Sequence, residues 1–343
     1  MSTITVAIPT LNGAAVLDET LSAVLKQRLE PPLGLELVVC DSGSRDASVS
    51  IARRYGAEVI QIRQEEFSHG ATRNLLMERS SGDHVAFLTQ DSVPAGERWL
   101  AELLAGFDLA EDVALTFGPY KPRADATVMV ARELTEWFGS FSSGGAPRVD
   151  RLVPSERDIA PAELRGPRGF FTDANGCVAK AAWECIPFRP VRYAEDHVLA
   201  HDMMRGGYAK AYLPNAAVIH SHDYSAWNWL RRTFDEYRAL SEIYGFVPLD
   251  MRWGVLQVWG LVGADLRWAR GSAPAGSRRT AAIPTLARSL PHRLLRTTGA
   301  LLGTRADRLP PTLVRRLSLE GVDRAPHAAV ASDCREPRWP ESP

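Results

Sequence analysis

Short apolar runs alternate with amphipathic helical stretches along the first third of the chain. The runs are rich in β-branched residues, and polar residues follow them, which is typical of strands. They predict strands at Ile4–Pro9, Glu36–Cys40, Glu58–Ile62, His84–Leu88 and Val113–Phe117. Helical spacing predicts helices at Ala14–Gln27, Ala47–Tyr55, Ala71–Arg79 and Gly96–Phe107. Such alternation indicates an α/β fold whose mostly parallel sheet has helices on both faces.

The second half of the chain has a different pattern. Arg148–Gly169 is rich in proline, arginine and acids and shows no periodicity, which predicts a long loop that could act as a lid. The elements predicted beyond it are strands at Asn175–Lys180, Lys210–Tyr212 and Ala217–His220 and helices at Asp196–Arg205 and Ala226–Phe246. The composition from Pro326 onward predicts a disordered tail.

Arginine is concentrated near the C-terminus, although the whole chain is almost neutral. The net charge is −1 over 343 residues, so the bulk charge indicates no particular partner, and we expect no nucleic acid. Arg267–Arg316 contains eleven arginines and one acid, Asp307. This segment predicts a basic surface that faces an anionic partner. The alternative is an arginine-rich surface that faces only water.

The sequence predicts neither a membrane span nor secretion. The longest apolar run, Trp253–Ala264, has twelve residues, whereas a spanning helix needs about twenty. The chain opens on a predicted strand instead of a signal peptide, and its four cysteines form no CxxC pair. We therefore expect a cytoplasmic protein with reduced thiols. Its length suits one large core with a smaller appendage.

Polar side chains follow the predicted strands of the first half. Thr10, Asp41 and the pair formed by Gln90 and Asp91 come at strand ends, and ligands of open α/β sheets bind outside the carboxyl ends of the strands. Hard divalent cations prefer oxygen ligands, so Asp91 is a candidate metal ligand. The alternative for Asp91 is an N-cap of the next helix.

Two motifs suit a nucleotide. Asp41 is placed to accept hydrogen bonds from a nucleoside base or ribose, although Asp46 or Ser48 after it could also make this segment a capped strand–turn–helix corner. The motif Phe67–Asn74 opens a helix and brings Arg73 to its first turns. Helix N-termini attract anions, and arginine adds a fixed charge with planar donors. A solvated arginine is the alternative.

An acidic pair and a histidine pair follow in the second half. Glu195 and Asp196 open a predicted helix, and His220 and His222 end a predicted strand. Taken separately, the acidic pair could simply compensate the helix dipole. The histidine pair could likewise be packed in the fold or lie on the surface. Together they suit catalysis, because a general base must be a carboxylate or histidine within reach of the reacting hydroxyl. Either histidine could also complete a metal site with Asp91.

The ordered set of motifs resembles family 2 glycosyltransferases of the GT-A fold, and looks closest to the bacterial rhamnosyltransferase branch. IPTLN, DSGSRDAS, FSHGATRN, LTQDSVP, the AED pair and HSHDYS occur in that family's order within residues 3–225. The resemblance implies a GT-A catalytic domain at 1–225. It is followed by a helical, arginine-rich C-terminal extension at 226–325 and the tail at 326–343.

The resemblance also implies residue roles. Asp196 would be the catalytic base, with Glu195 beside it, and Asp91 would bind the cation with His220, which we prefer to His222. The residue before Asp91 is a glutamine where the family has an acid, which should weaken cation binding. The implied donor-binding residues are Pro9, Thr10, Asn12, Asp41, His69, Arg73, Asn74, Gln90 and Asp91, and the implied acceptor-side residues are Asn175 and Gly176.

The implied activity is inverting transfer of a sugar, with rhamnose favoured, during cell-surface polysaccharide synthesis. The donor would be dTDP-rhamnose or a UDP-sugar, the cofactor Mg²⁺ or Mn²⁺, and the acceptor a glycan or lipid-linked saccharide. Aromatic and basic residues near the C-terminus suit a peripheral contact with the anionic inner face of the plasma membrane. The alternative for this region is dimerisation or capping of the catalytic domain.

Three other functions fit the sequence less well. A sugar-nucleotide-forming nucleotidyltransferase should have a glycine-rich basic loop after the first strand, where this chain reads PTLNGAA. A dinucleotide-dependent oxidoreductase should have GxGxxG there. A non-catalytic sugar-binding relative would not need Asp91, Asp196 and His220.

Overall fold

The computed structural model describes residues 3–30, 33–222, 224–245, 251–272 and 282–319. Its strands are β1 (Thr3–Thr10), β2 (Gly34–Asp41), β3 (Glu58–Gln61), β4 (His84–Leu88), β5 (Val93–Pro94), β6 (Val113–Phe117), β7 (Tyr120–Lys121), β8 (Arg148–Asp150), β9 (Asn175–Ala179), β10 (Ala209–Tyr212) and β11 (Val218–Ile219). Its α-helices are α1 (Leu17–Leu25), α2 (Ser48–Arg54), α3 (His69–Arg79), α4 (Trp99–Ala105), α5 (Val128–Gly139), α6 (Lys180–Cys185), α7 (Glu195–Arg205), α8 (Ala226–Tyr244), α9 (Met251–Ser272), α10 (Ala282–Gly303) and α11 (Pro311–Leu317).

The described residues form two compact units. The first spans residues 3–121 and 137–220, and the second spans residues 122–136 and 221–319. The domain boundary predicted after residue 225 stays a prediction, and the predicted tail lies outside the described residues. Among the described helices, none has the length and apolar character that a membrane span requires.

The first unit is built on an eight-stranded sheet with the order β3-β2-β1-β4-β9-β6-β10-β8. The first four strands of this order are parallel to one another, and β6 is parallel to β10. By contrast, β9 is antiparallel to both of its neighbours, and β8 is antiparallel to β10. The predicted mostly parallel α/β sheet is therefore confirmed. A second sheet in this unit has the order β5-β11-β7.

The centre of this sheet is held by β1 and α1. Ile4, Val6 and Ile8 of β1 are buried in one apolar cluster with Leu17 and Leu21 of α1. A central parallel strand is covered on both faces, which explains the continuous apolar run. The two leucines are four residues apart and therefore lie on the same face of their helix. This packing fixes the carboxyl end of β1, where the candidate site begins.

The antiparallel strand β9 starts where its neighbours end. Its first residue, Asn175, is in register with Leu88 at the end of β4, and Gly176 is in register with Phe117 at the end of β6. The residues just before β9 therefore reach the edge of the sheet at which the parallel strands deliver their polar side chains.

The segment predicted as a long loop at 148–169 has more structure than expected. It contains β8 and three short 3₁₀ turns. Lys210 of β10 is fully buried beneath it and donates hydrogen bonds to Asp150 (2.8 Å) and to the carbonyl oxygen of Pro167 (3.0 Å). The prediction of a wholly irregular loop was wrong because a three-residue edge strand is too short to show periodicity. Its role as a lid stays a prediction.

A buried carboxylate organises the second unit. Asp265 of α9 is completely buried and accepts hydrogen bonds from Arg132 (2.7 Å), Ser289 (2.5 Å) and Arg293 (2.7 and 2.9 Å). Glu133 pairs with the same Arg293. At least one arginine of the predicted basic surface is thus an internal residue of this unit, because its charge is matched inside the fold.

Candidate active site

Gln90 joins the carboxyl ends of β1 and β4. Its side-chain oxygen accepts hydrogen bonds from the hydroxyl of Thr10 (2.7 Å) and from the backbone N–H of Leu11 (3.0 Å). Gly13 packs closely on this amide, because a Cβ atom there would lie 2.4 Å from the same oxygen. The glutamine that stands in place of an acid therefore fixes the loop after β1 next to Asp91.

The loop after β2 is hydrogen-bonded to the loop after β1. The side-chain oxygen of Asn12 accepts from the backbone N–H of Arg45 (2.9 Å), and Ser44 accepts from the backbone N–H of Asn12 (2.8 Å). Asp46 and Ser48 accept from the next two backbone N–H groups of the β1 loop (3.0 and 2.8 Å). Neither of them occupies the N-cap position of α2, which lies between them. Asp46 also accepts from the backbone N–H of Ser48 (3.0 Å), the first residue of α2, so this side chain binds both the helix start and the neighbouring loop.

Asp41 is completely buried at the end of β2. One carboxylate oxygen accepts from the backbone N–H groups of Gly43 (3.2 Å) and Ser44 (3.1 Å). The other oxygen is buried and accepts no hydrogen bond from the residues that the structure describes. An unpaired buried carboxylate oxygen is costly, so this atom suits a donor supplied by a ligand. Pro9 lies in register with Cys40 on the adjacent strands.

Arg73 forms ion pairs with acidic residues from two segments that are distant in sequence. Helix α3 is capped by Ser68 and carries Arg73 in its second turn. The guanidinium group pairs with Asp173 and with Glu195, whose oxygen lies 2.8 Å from Nη1. His69 lies 3.8 Å from the same oxygen. The charge of Arg73 thus holds two buried carboxyl groups, and its predicted contact with the donor stays a prediction.

The three acids of this cluster differ in pKa. Burial raises the pKa of Asp173 well above its usual range; Arg73 opposes this effect, and Glu195 and Asp196 add to it. Burial also opposes ionisation of Glu195, but Arg73, His69 and the hydrogen bond from Asp173 together lower the pKa of Glu195 to about 2. The pKa of Asp196 is raised by burial and by Glu195, against the opposing charge of His197. One acid is therefore neutral while its hydrogen-bond partner is ionised.

Asp196 is the second residue of α7 and is half-buried. The residue before the helix, Ala194, has a φ of 61°, in the left-handed region. One oxygen of Asp196 accepts from the backbone N–H of His197 (2.8 Å). A carboxylate with a raised pKa and partial exposure can accept a proton near neutral pH, as a general base must.

Asp91, which follows β4, and His220, which follows β11, are distant in sequence but close in the fold. Their closest atoms, Oδ1 and Nδ1, are 3.6 Å apart. The backbone N–H of His220 bonds to the carbonyl of Lys121 (2.9 Å), and the imidazole packs edge-on against Tyr120. A carboxylate oxygen and an imidazole nitrogen at this separation could both bind one cation with bonds of about 2.1 Å. His222 belongs to the second unit, and its metal role stays a prediction.

Comparisons with known proteins identify the family. The family model described as glycosyl transferase family 2 matches residues 5–153. The O-antigen chain rhamnosyltransferase WbaN of Salmonella anatum is 30% identical over 239 residues, which cover 68% of this chain and 71% of that protein. The chain belongs to glycosyltransferase family 2. The O-antigen chain rhamnosyltransferase RfbN of Salmonella typhimurium is 29% identical over 236 residues, 68% of this chain and 70% of that protein.

The fold of this family 2 glycosyltransferase agrees with solved structures. Mannosyltransferase PcManGT from Pyrobaculum calidifontis superposes with a TM-score of 0.55 at 17% identity, covering 89% of this chain and 86% of that one. The predicted GT-A fold, the family and the enzyme class are thus confirmed. Family membership removes the nucleotidyltransferase and oxidoreductase alternatives, and the two rhamnosyltransferase relatives support an enzyme over a non-catalytic relative.

Three predicted site residues of this glycosyltransferase make contacts within the fold instead. Asn74 accepts from the indole of Trp183 (2.8 Å) and from the backbone N–H of Phe188 (3.0 Å). Asn175 is fully buried and accepts from the indole N–H of Trp99 (2.7 Å). Gly176 is packed so closely that a Cβ atom would lie 2.3 Å from a carbonyl oxygen of the preceding turn. Their predicted ligand contacts stay predictions.

Asp173 is the residue of this site that the sequence analysis missed. Its side chain is 6% exposed and contacts Arg73. The predicted polar residues of the first half follow strands, whereas Asp173 comes just before one. Only the antiparallel direction of β9 brings it to the same edge of the sheet.

Proposed function

We propose that the protein is an inverting rhamnosyltransferase that extends a cell-surface polysaccharide from a nucleotide-diphosphate donor. The two curated relatives described above are both O-antigen chain rhamnosyltransferases, which supports rhamnose and a saccharide acceptor. The observation that carries the mechanism is the half-buried Asp196 with its raised pKa, beside the Arg73 cluster.

In this mechanism Asp196 accepts the proton of an acceptor hydroxyl. The hydroxyl oxygen forms a bond to the anomeric carbon, and the bond from that carbon to the diphosphate oxygen breaks on the opposite face. The electron pair leaves with the nucleoside diphosphate, so the anomeric configuration is inverted. Glu195 stays ionised and bound to Arg73, which leaves the acceptor's proton to Asp196.

Asp91 and His220 would hold a divalent cation, Mg²⁺ or Mn²⁺. The 3.6 Å separation of their oxygen and nitrogen atoms supports one shared ion, and the mannosyltransferase PcManGT was solved with GDP-Man and Mn²⁺. A cation bound there would stabilise the negative charge that develops on the leaving diphosphate. Because a single carboxylate contributes, we expect weaker cation binding than two carboxylates would give.

Asp41 would recognise the nucleoside. Its unpaired buried oxygen needs a hydrogen-bond donor, and both thymine and uracil present a ring N–H. This assignment suits dTDP-rhamnose and UDP-sugars equally, and Thr10 and Asn12 then act by shaping the loops around the base.

A thermal-shift panel tests the donor and the cation together. We expect dTDP or UDP to raise the melting temperature further when Mn²⁺ or Mg²⁺ is added, because a ligand that binds only the native state stabilises it, by about 2.7 kcal/mol at one hundred times its Kd. Asp91→Asn should bind nucleotide but lose the cation-dependent part of the shift. If no nucleoside diphosphate shifts the melting temperature at millimolar concentration, the proposed donor site is wrong.

We also propose a peripheral contact with the anionic inner face of the plasma membrane. Apolar side chains of α9 and α10 are exposed, among them Leu256 (64%), Trp259 (58%) and Ile283 (77%). The same helices expose Arg270 and Arg288. Apolar and cationic side chains together suit anionic lipid headgroups, and a lipid-linked acceptor would be reached there.

Vesicle flotation tests this contact. The protein should float with anionic vesicles at low salt and not with neutral ones, and Trp259→Glu should reduce flotation severalfold. Trp227→Glu, at an exposed tryptophan of α8, serves as the control. Absence of flotation at low salt would reject the membrane contact, and a dimer that Trp259→Glu dissociates would support the dimerisation alternative.

A further inference from the structure

Asp173 links three parts of the chain that are far apart in sequence. It lies in the turn before β9, and its carboxyl group contacts Arg73 of α3 and hydrogen-bonds to Glu195, the first residue of α7. All three side chains are at most 6% exposed. The cluster thus ties the start of α7 to the sheet edge and to α3.

The start of α7 needs such a tie. No side chain caps the helix, and the residue at its N-cap, Ala194, has a φ of 61°. A left-handed conformation is unfavourable for a non-glycine residue, and it persists only where surrounding contacts impose it. Glu195 follows directly, and its contacts with Arg73 and Asp173 hold the residue next to this turn.

The charges of the cluster require Asp173 and Glu195 to have different protonation states. Two adjacent buried carboxyl groups do not both ionise beside one guanidinium group. Asp173 therefore carries the proton in its hydrogen bond with the Glu195 carboxylate, and its Oδ2 atom contacts Nε of Arg73. In this state Asp173 is a neutral group that both donates and accepts.

We propose that Asp173 is a positioning residue for sugar transfer, which acts through Glu195 and Arg73 to hold the first turn of α7 and so to aim Asp196 at the acceptor hydroxyl. The proposal rests on the proposed function, in which Asp196 is the base. Asp173 itself touches neither donor nor acceptor in this scheme, so its loss should impair the chemical step more than donor binding.

The neutral state of Asp173 gives the test a matched pair of variants. Asparagine can donate to Glu195 and accept from Arg73, whereas alanine can do neither. With dTDP-rhamnose and a UDP-hexose as donors, we measure release of nucleoside diphosphate. Asp173→Ala should lower kcat at least tenfold with the donor KM within about twofold, and Asp173→Asn should restore kcat to within about threefold of the wild type.

Several outcomes would overturn the proposal. These are an unchanged kcat in Asp173→Ala, an Asp173→Asn variant as slow as Asp173→Ala, or a loss confined to KM. If Asp173→Ala does not fold, the Asp173→Asn variant alone decides. Asparagine carries no charge, so this variant would be inactive if the site required a negative charge at position 173. Amide exchange gives a second readout, and residues 195–198 should exchange faster in Asp173→Ala but not in Asp173→Asn.

Asp196→Asn, assayed in parallel, separates this proposal from the proposed function. If Asp196→Asn keeps full transfer, the base assignment fails and the positioning role fails with it. If Asp196→Asn is inactive while Asp173→Ala is fully active, the base assignment stands and only the role of Asp173 is rejected.

Discussion

Asp196→Asn should lower the rate of sugar transfer by about 10²–10⁴-fold, the usual contribution of a general base. Asparagine is nearly isosteric with aspartate but cannot accept the acceptor's proton. Donor binding should change little, because the nucleotide contacts are assigned to other residues. The measurement is kcat with the donor that stabilises the protein, combined with thermal shifts by dTDP or UDP.

The same helix offers a control for this variant. Asp202 lies further along α7 and pairs with the exposed Arg189 (2.6 Å), so Asp202→Asn should keep most of the activity. Transfer by Asp196→Asn within tenfold of the wild type would show that another group is the base.

The pH dependence of sugar transfer by the wild type should reflect the ionisation of Asp196. A base works only when deprotonated, so kcat/KM should fall as the pH falls through its pKa. Because burial and Glu195 raise that pKa, the acidic limb should lie at a higher pH than an ordinary aspartate would give. Asp196→Asn should remove this limb from any residual activity.

Asp265→Ala should destabilise the second unit by about 3–5 kcal/mol, because removing one partner of a buried ion pair leaves the other charge uncompensated. Arg132 and Arg293 would lose their shared carboxylate, and Ser289 would lose its acceptor. The free energy of unfolding of this unit, followed in urea, measures the effect.

An exposed aspartate of the same unit provides the comparison. Asp307 is 77% exposed, and its nearest charged partner, Arg308, is 4.0 Å away, so Asp307→Ala should change stability by less than about 0.5 kcal/mol. Similar small changes in both variants would show that the Asp265 network contributes little.

Much of the sheet could be read from the sequence because its central strands are buried on both faces. The bounds of β4 and β6 match the predicted strands, and the other early strands differ by one or two residues. The direction of β9 could not be predicted, because an apolar run of five residues looks the same whichever way it crosses the sheet. The edge strand β8 was missed since its pattern is too short.

Most side chains of the site were predicted from the sequence, but the contacts between them were not. Glycine-, arginine- and acid-containing motifs identified Arg73, Glu195 and Asp196, yet nothing local shows that the arginine is bound by acids about one hundred residues away. Burial and pKa depend on which segments meet, so the neutral state of Asp173 is visible only in the folded chain.

The Arg73 cluster has a consequence for exchanging parts between relatives. The stretch matched by the family model, residues 5–153, contains Arg73, but its acid partners all lie beyond it. A chimera that takes this half from a relative lacking the arginine would bury Asp173, Glu195 and Asp196 without a counter-charge. Hybrids made to change the donor specificity should therefore fold and transfer sugar only when one half supplies the arginine and the other half supplies its acid partners.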